Sequence, residues 1–209
     1  MMDRVRLLER REVDELIILD IAATPNKRAP RFDEVKALCQ NLFMPVTVGG
    51  GVRNLCDIRR LLASGADKVA IKTAALENPS LIDEAAKKFG SQAVVISIDH
   101  SGSSNTRNIC ATAWAKQVES RGAGEILLQS IDRDGTMEGY DIDLIREVSD
   151  AVDIPVIAAG GCGSYEHVAE VLYNTKAHAV AVGAAFQFTE CTPKGMSRYL
   201  HDRGFQVRL

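Results

Sequence analysis

The sequence predicts an α/β protein, a (β/α)8 barrel of the TIM type made of two similar half-barrels. Three observations carry that expectation. Apolar runs of strand length alternate along the chain with segments of helical period. The runs are continuous rather than alternating, as strands buried on both faces of a parallel sheet require. The chain also matches itself when slid by about half its length, which an open doubly wound sheet gives no reason for.

Seven strand-length runs appear in order at Leu16–Ile21, Val46–Val48, Val69–Ile71, Ala93–Ile98, Ile126–Ile131, Val156–Ala159 and Ala179–Val182. Amphipathic segments lie between them at Asp33–Leu42, Leu55–Ser64, Pro79–Phe89, Thr112–Arg121, Asp143–Ala151 and Tyr165–Tyr173. Two of these carry start signals: Asn78 before Pro79, and Ser164 before the acidic first turn at Glu166. The stretch His100–Asn108, with three Ser, one Gly and two Asn, reads as a loop able to cover a site. No Pro- or Ser-rich linker divides the chain, so 209 residues are expected to form a single domain.

The repeat aligns Pro45-Val46-Thr47-Val48-Gly49-Gly50-Gly51 with Pro155-Val156-Ile157-Ala158-Ala159-Gly160-Gly161. After a helix in each copy, the segment from Gly65 to Ala75 aligns with Lys176 to Phe186, which pairs Lys72-Thr73 with Gly183-Ala184. Upstream, each half has a strand that begins at a Glu and ends near an Asp: Glu15 with Asp20, and Glu125 with Asp132 and Asp134.

In a parallel barrel the active face lies at the C-terminal ends of the strands. The residues there are Asp20, Gly49 to Gly51, Lys72-Thr73, Asp99, Asp132 with Asp134, Gly160-Gly161 and Gly183-Ala184. Glycines at strand-to-helix turns let backbone N–H groups approach an anion, so each half is expected to hold one phosphate. The strand-end aspartates are the candidates for acid–base work, although an Asp in such a place also serves as a turn former. Glu15, Lys68 and Glu125 stand at the opposite ends of their strands, where they form either a salt-bridged rim or a polar gate and docking face.

Composition narrows the function classes. A net charge of -3 offers no basic surface for nucleic acid. The longest apolar stretches are too short to cross a bilayer and the N-terminus has no secretory core, so a cytoplasmic protein is expected. Five scattered cysteines without metal-ligand spacing read as reduced thiols, with Cys162, beside the second glycine pair, the one in a suggestive place. No ligand cluster or dinucleotide fingerprint appears, so no metal or organic cofactor is expected.

Taken with Asp14 to Ile21, Thr47 to Gly51, Gly65 to Val69, Glu77 to Ile82, Phe89 to Val95, Arg121 to Leu128, Ser130 to Thr136 and Gly139 to Asp141, the chain resembles the cyclase subunit of imidazole glycerol phosphate synthase, from histidine biosynthesis. The resemblance implies an enzyme that receives ammonia from a glutaminase partner, as a heterodimer. It implies cleavage and cyclisation of a bis-phosphorylated ribulosyl nucleotide to imidazole glycerol phosphate and an aminoimidazole carboxamide ribotide. It assigns Asp99 to the catalytic pair and Asp134 to a supporting carboxylate. Phosphate contacts fall to Gly51, Lys72 and Thr73 in one half and to Gly135, Gly161, Gly183 and Ala184 in the other. Glu15, Lys68 and Glu125 match the gate at the ammonia entrance.

Three departures accompany the likeness. The chain opens inside what resembles the family's first helix, so that the first strand and its catalytic Asp are not in this sequence. Lys72 stands where the family usually has Asn, and the loop after His100 is shorter. Leu19 to Arg28 also looks like a paralogous branch that supplies ammonia for amidating a surface-polysaccharide sugar, again with a glutaminase partner. A catalytically incomplete phosphate-binding barrel is the third reading.

Overall fold

The computed structural model describes residues 2–102 and 110–208. The loop expected over 100–108 lies outside the described residues beyond 102. Among the described residues seven strands form one parallel sheet: β1 (Leu16–Leu19), β2 (Val46–Gly49), β3 (Lys68–Ile71), β4 (Val94–His100), β5 (Glu125–Ser130), β6 (Val156–Ala159) and β7 (Ala179–Ala181). Strand order follows chain order from β1 to β7 with no reversal. That is the order of a (β/α) barrel, and the doubly wound alternative, whose order must switch direction, is excluded.

The helices are α1 (Met2–Arg10), α2 (Phe32–Cys39), α3 (Leu55–Ala63), α4 (Thr73–Glu77), α5 (Ser80–Phe89), α6 (Ala111–Ser120), α7 (Ile142–Ser149), α8 (Tyr165–Asn174), α9 (Ala184–Phe188) and α10 (Pro193–His201). The chain divides into two compact units, residues 1–97 with 118–125, and residues 98–117 with 126–209.

In the first unit the parallel ladder sets Leu16 against Val46, Val48 against Val69 and Ala70 against Val95. Val69, Ile71, Val94, Val95 and Ile96 are almost fully buried, which is why these runs are apolar without alternation. Helix α3 turns Ile58 and Leu61 inward, and α5 turns Leu81, Ile82 and Ala85 inward. In the second unit Ile126 pairs with Val156 and Ala158 with Val180, under α7 (Leu144, Ile145, Val148) and α8 (Val168, Ala169, Val171).

The ends of elements follow local hydrogen bonding. Strand β1 stops at Leu19 rather than Ile21 because the Asp20 carboxylate accepts from Ala22 N–H at 3.2 Å and turns the chain, leaving Ile21 86% exposed. Asn54 caps α3, its Oδ1 accepting from the N–H groups of Cys56 and Asp57 at 2.9 and 3.0 Å. Asn78 does not cap α5: it closes α4, Pro79 takes the cap position, and the Asn78 side chain accepts from the Ser80 hydroxyl at 2.7 Å. Ser164 has the extended backbone of a cap, φ -148° and ψ 172°, but makes no side-chain cap bond.

Helices α4 and α9 were not expected from periodicity. They start at Thr73 and Ala184, which the repeat pairs. The two units are thus alike in structure down to a five-residue helix after the second strand of each matched segment.

Candidate active site

In the first unit β2 runs into the turn Gly50-Gly51 ahead of α3. Gly50 has φ +103°, and a methyl group there would land on the Asp20 backbone. Gly51 has φ +73°, and its missing Cβ would sit 2.5 Å from the Arg28 carbonyl oxygen. Strand β3 delivers Lys72 and Thr73 beside the start of α4, with Thr73 half-buried.

The second unit repeats the arrangement. Gly160 and Gly161 have φ +92° and +107°; the missing Cβ of Gly160 meets the Ser130 carbonyl and that of Gly161 meets the Gly139 carbonyl. Strand β7 leads to Gly183 and Ala184 at the start of α9. Gly183 is different in kind: its φ is -115° and nothing lies within 4 Å of where a Cβ would be. The fold needs glycine at 50 and 160 for close backbone approach, whereas at 183 it leaves open space.

A stability comparison checks this division. Gly160→Ala is expected to cost about 2–4 kcal/mol, through the left-handed backbone and the collision with Ser130. Gly183→Ala is expected to stay within about 0.5 kcal/mol of the parent, as for surface changes that meet nothing. Urea unfolding of both variants reads the difference; equal losses would refute it.

The carboxylates of the second unit gather where β4 and β5 end. The Ile131 N–H donates to the His100 carbonyl at 2.9 Å. Asp132 takes the Ser101 hydroxyl at 2.8 Å and the Gly102 N–H at 2.7 Å, so it ties the end of β5 to the start of the loop after β4. Asp99 is the penultimate residue of β4 and half-buried. Asp134 is exposed; its backbone N–H donates to the Ser130 carbonyl at 3.0 Å and its Oδ2 accepts from Gln129 Nε2 at 3.0 Å. Gly135 follows with φ +77° and open space around it.

Gln129 and Tyr140 are two further residues beside these groups that strand-end position does not single out. Gln129 is an amide near the end of the apolar run Ile126-Leu127-Leu128, a legible signal of a side chain with work at the strand end. Tyr140 is buried, and its hydroxyl donates to the Ala181 carbonyl at 3.0 Å, which anchors the chain after Gly139 to β7. Burial, with the neighbouring Cys162, raises its pKa well above the ordinary phenol value. Burial also pushes the Cys162 thiol up to about 11, so at neutral pH it is an inert thiol rather than a nucleophile. All five cysteines are free.

At the other ends of the strands, in the first unit, Lys68 Nζ bonds Glu125 Oε1 at 2.6 Å and Glu15 Oε2 at 3.0 Å. The Lys68 and Glu125 side chains are 17% and 18% exposed, that of Glu15 46%. Burial works against the ammonium, but the bonds to Glu125 and then Glu15 outweigh it, so the Lys68 pKa is raised. The stabilisation is therefore complete at neutral pH and is lost only as pH rises through the raised value. Glu125 Oε2 is buried and has no hydrogen-bond partner among the described residues.

No group of three His, Cys, Asp or Glu among the described residues is placed to hold a metal ion, and no helix among them is long and apolar enough to cross a membrane.

The fold is that of a parallel (β/α) barrel whose two repeated units each present a glycine turn at the C-terminal strand ends, with carboxylates beside the second. Residues 1–192 match the family described as histidine biosynthesis protein. The chain is 47% identical over 214 residues to the imidazole glycerol phosphate synthase subunit HisF of Hydrogenobaculum sp. (strain Y04AAS1), covering 96% of this chain and 84% of the relative. It is 44% identical over 209 residues to the subunit of the same name from Clostridium botulinum (strain Okra / Type B1), covering 94% and 83%. The chain belongs to the histidine biosynthesis protein family, among its imidazole glycerol phosphate synthase HisF subunits.

Proposed function

We propose that this chain is the cyclase subunit of an imidazole glycerol phosphate synthase, a lyase of histidine biosynthesis acting in the cytoplasm. It uses ammonia from a glutaminase subunit to convert a bis-phosphorylated ribulosyl aminoimidazole nucleotide into imidazole glycerol phosphate and aminoimidazole carboxamide ribotide. The observation that carries this reading is the 47% identity over 96% of the chain.

The residues support it in chemical terms. A substrate with two phosphates needs two anion sites, and each unit carries one. The first consists of Gly51, Lys72 and Thr73; the second of Gly135, Gly161, Gly183 and Ala184. Lys72 brings a cation to the first, while at the matched position Gly183 keeps a side chain out of the second. Asp99 exchanges a proton with the reacting nucleotide as general acid and base. Asp134, held through Oδ2 by Gln129, supports the charge that develops during ring closure. Glu15, Lys68 and Glu125 form the gate at which ammonia enters from the glutaminase side. Proton transfer and nitrogen addition move no electrons between carriers, and no cofactor enters this mechanism.

Incubation of the chain with an ammonium salt and the ribulosyl nucleotide tests the proposal. Loss of the nucleotide's absorbance is expected, and a substrate that persists through prolonged incubation sinks the reading. Within the same assay, Gly183→Ala is expected to raise KM several-fold with kcat little changed, because the added methyl fills space that a phosphate would occupy in ground and transition states alike. An unaltered KM would remove Gly183 from the site.

A further inference from the structure

The second glycine of each pair packs under a backbone carbonyl from the loop that follows the preceding strand: Gly161 under Gly139, and Gly51 under Arg28. The second unit fixes that contact with a backbone bond, Gly139 N–H to the Gly161 carbonyl at 2.8 Å. The first unit holds the Arg28 segment with a backbone bond as well, Arg28 N–H to the Ala23 carbonyl at 2.8 Å, and adds side chains to it. Arg28 Nη2 donates to Asp20 Oδ2 at 2.7 Å, and Ala22 N–H donates to Asp20 Oδ1 at 3.2 Å. Arg31 Nε approaches the same Oδ2 at 3.6 Å. The Asp20 backbone meanwhile lies against Gly50, and its N–H donates to the Gly49 carbonyl at 2.9 Å. One residue therefore touches the turn through its backbone and holds the loop above the turn through its carboxylate.

Asp20, Arg31, Gly49 and Gly50 help line a cavity of about 240 Å³ whose other walls are mainly apolar, Ile18, Leu19, Val35 and Leu38 among them. The matched position in the second unit is Ser130, which carries no charge. The bond from Arg28 holds the Asp20 carboxyl below its ordinary value of 3.8 despite an opposing contribution from burial, so the ion pair is fully formed at neutral pH and is lost as the pH falls through the lowered value.

We infer that Asp20 is a positioning residue for the first phosphate cradle: its carboxylate clamps Arg28 so that the loop holds Gly50-Gly51 in the geometry that accepts an anion. The inference rests on the reading of Gly51 as a phosphate contact. The sign of the effect separates it from simple electrostatics. Removing a negative charge beside an anion site tightens anion binding by Coulomb's law alone, whereas loss of the clamp weakens it.

The test is titration of the 15N-labelled full chain with inorganic phosphate, read at the Gly51 and Gly161 amide resonances. Asp20→Asn is expected to weaken the Gly51 response about tenfold and leave the Gly161 response as in the parent, so that the second cradle reports the state of the fold in the same sample. A Gly51 response that is unchanged or tighter overturns the inference, as does equal weakening at both glycines. A parent chain with no phosphate response at either glycine overturns the cradle reading itself, and the clamp with it.

Discussion

Replacing Asp99 with Asn is expected to lower ammonia-dependent turnover by about 10³-fold while unfolding stability changes little. A positioned general acid–base group contributes roughly 10²–10⁴-fold to rate, and the amide keeps the size and hydrogen-bonding shape of the carboxyl but cannot accept and return a proton at neutral pH. Asp99 is the penultimate residue of β4, preceded by Val94, Val95 and Ile96, which are fully buried, so its backbone is fixed by the sheet core. Loss of kcat with an unchanged urea midpoint identifies a chemical role. A variant that keeps its rate removes Asp99 from the mechanism, and one that loses rate only in proportion to stability makes it structural.

Lys68→Met is expected to cost about 2–3 kcal/mol of stability, and Lys68→Met with Glu125→Gln to recover more than half of that. Breaking a buried ion pair from one side costs about 3–5 kcal/mol because a charge is left without compensation; the partial exposure of this pair lowers the figure. Without the ammonium, the Glu125 carboxylate is left 18% exposed with Oε2 already lacking a partner, and Glu15 adds a second negative charge nearby. The double variant removes the stranded charge, so the two changes must be non-additive. Denaturant unfolding of the single and double variants reads the coupling, and strict additivity would show that the three charges act separately. If these three charges also form the ammonia gate, glutamine-dependent turnover in the complete synthase falls further in Lys68→Met than turnover on ammonium salt.

The repeated frame was legible in the sequence because buried parallel strands leave unbroken apolar runs, and because both copies kept their glycine turns in register. The strand runs from Val156 and from Val69 were placed within a residue of their ends. Periodicity did not reach α4 and α9, since five residues hold too little of a helical period to register, nor did it mark the nine-residue helices α1 and α10. Asn78 before Pro79 imitated a cap but is the last residue of the preceding turn, a distinction made only by the presence of α4.

The candidate site divides in the same way. Strand-end position exposed Asp99, Asp134 and the glycine pairs, but did not separate Gly160, which the Ser130 backbone demands, from Gly183, which the fold leaves open. The Asp20–Arg28 clamp joins residues eight apart across an irregular loop, a spacing with no sequence signature. Gln129 was visible as a polar residue in an apolar run, and its meaning came from the bond to Asp134.

A chain that builds an imidazole ring with ammonia nitrogen leaves that nitrogen in its product, which is read by supplying 15N-ammonium and the bis-phosphorylated ribulosyl nucleotide and measuring both products by mass spectrometry. The expected products are imidazole glycerol phosphate carrying one 15N atom in its ring and an equal amount of unlabelled aminoimidazole carboxamide ribotide. Substrate recovered intact, or cleaved without incorporation of label, would contradict the proposed function.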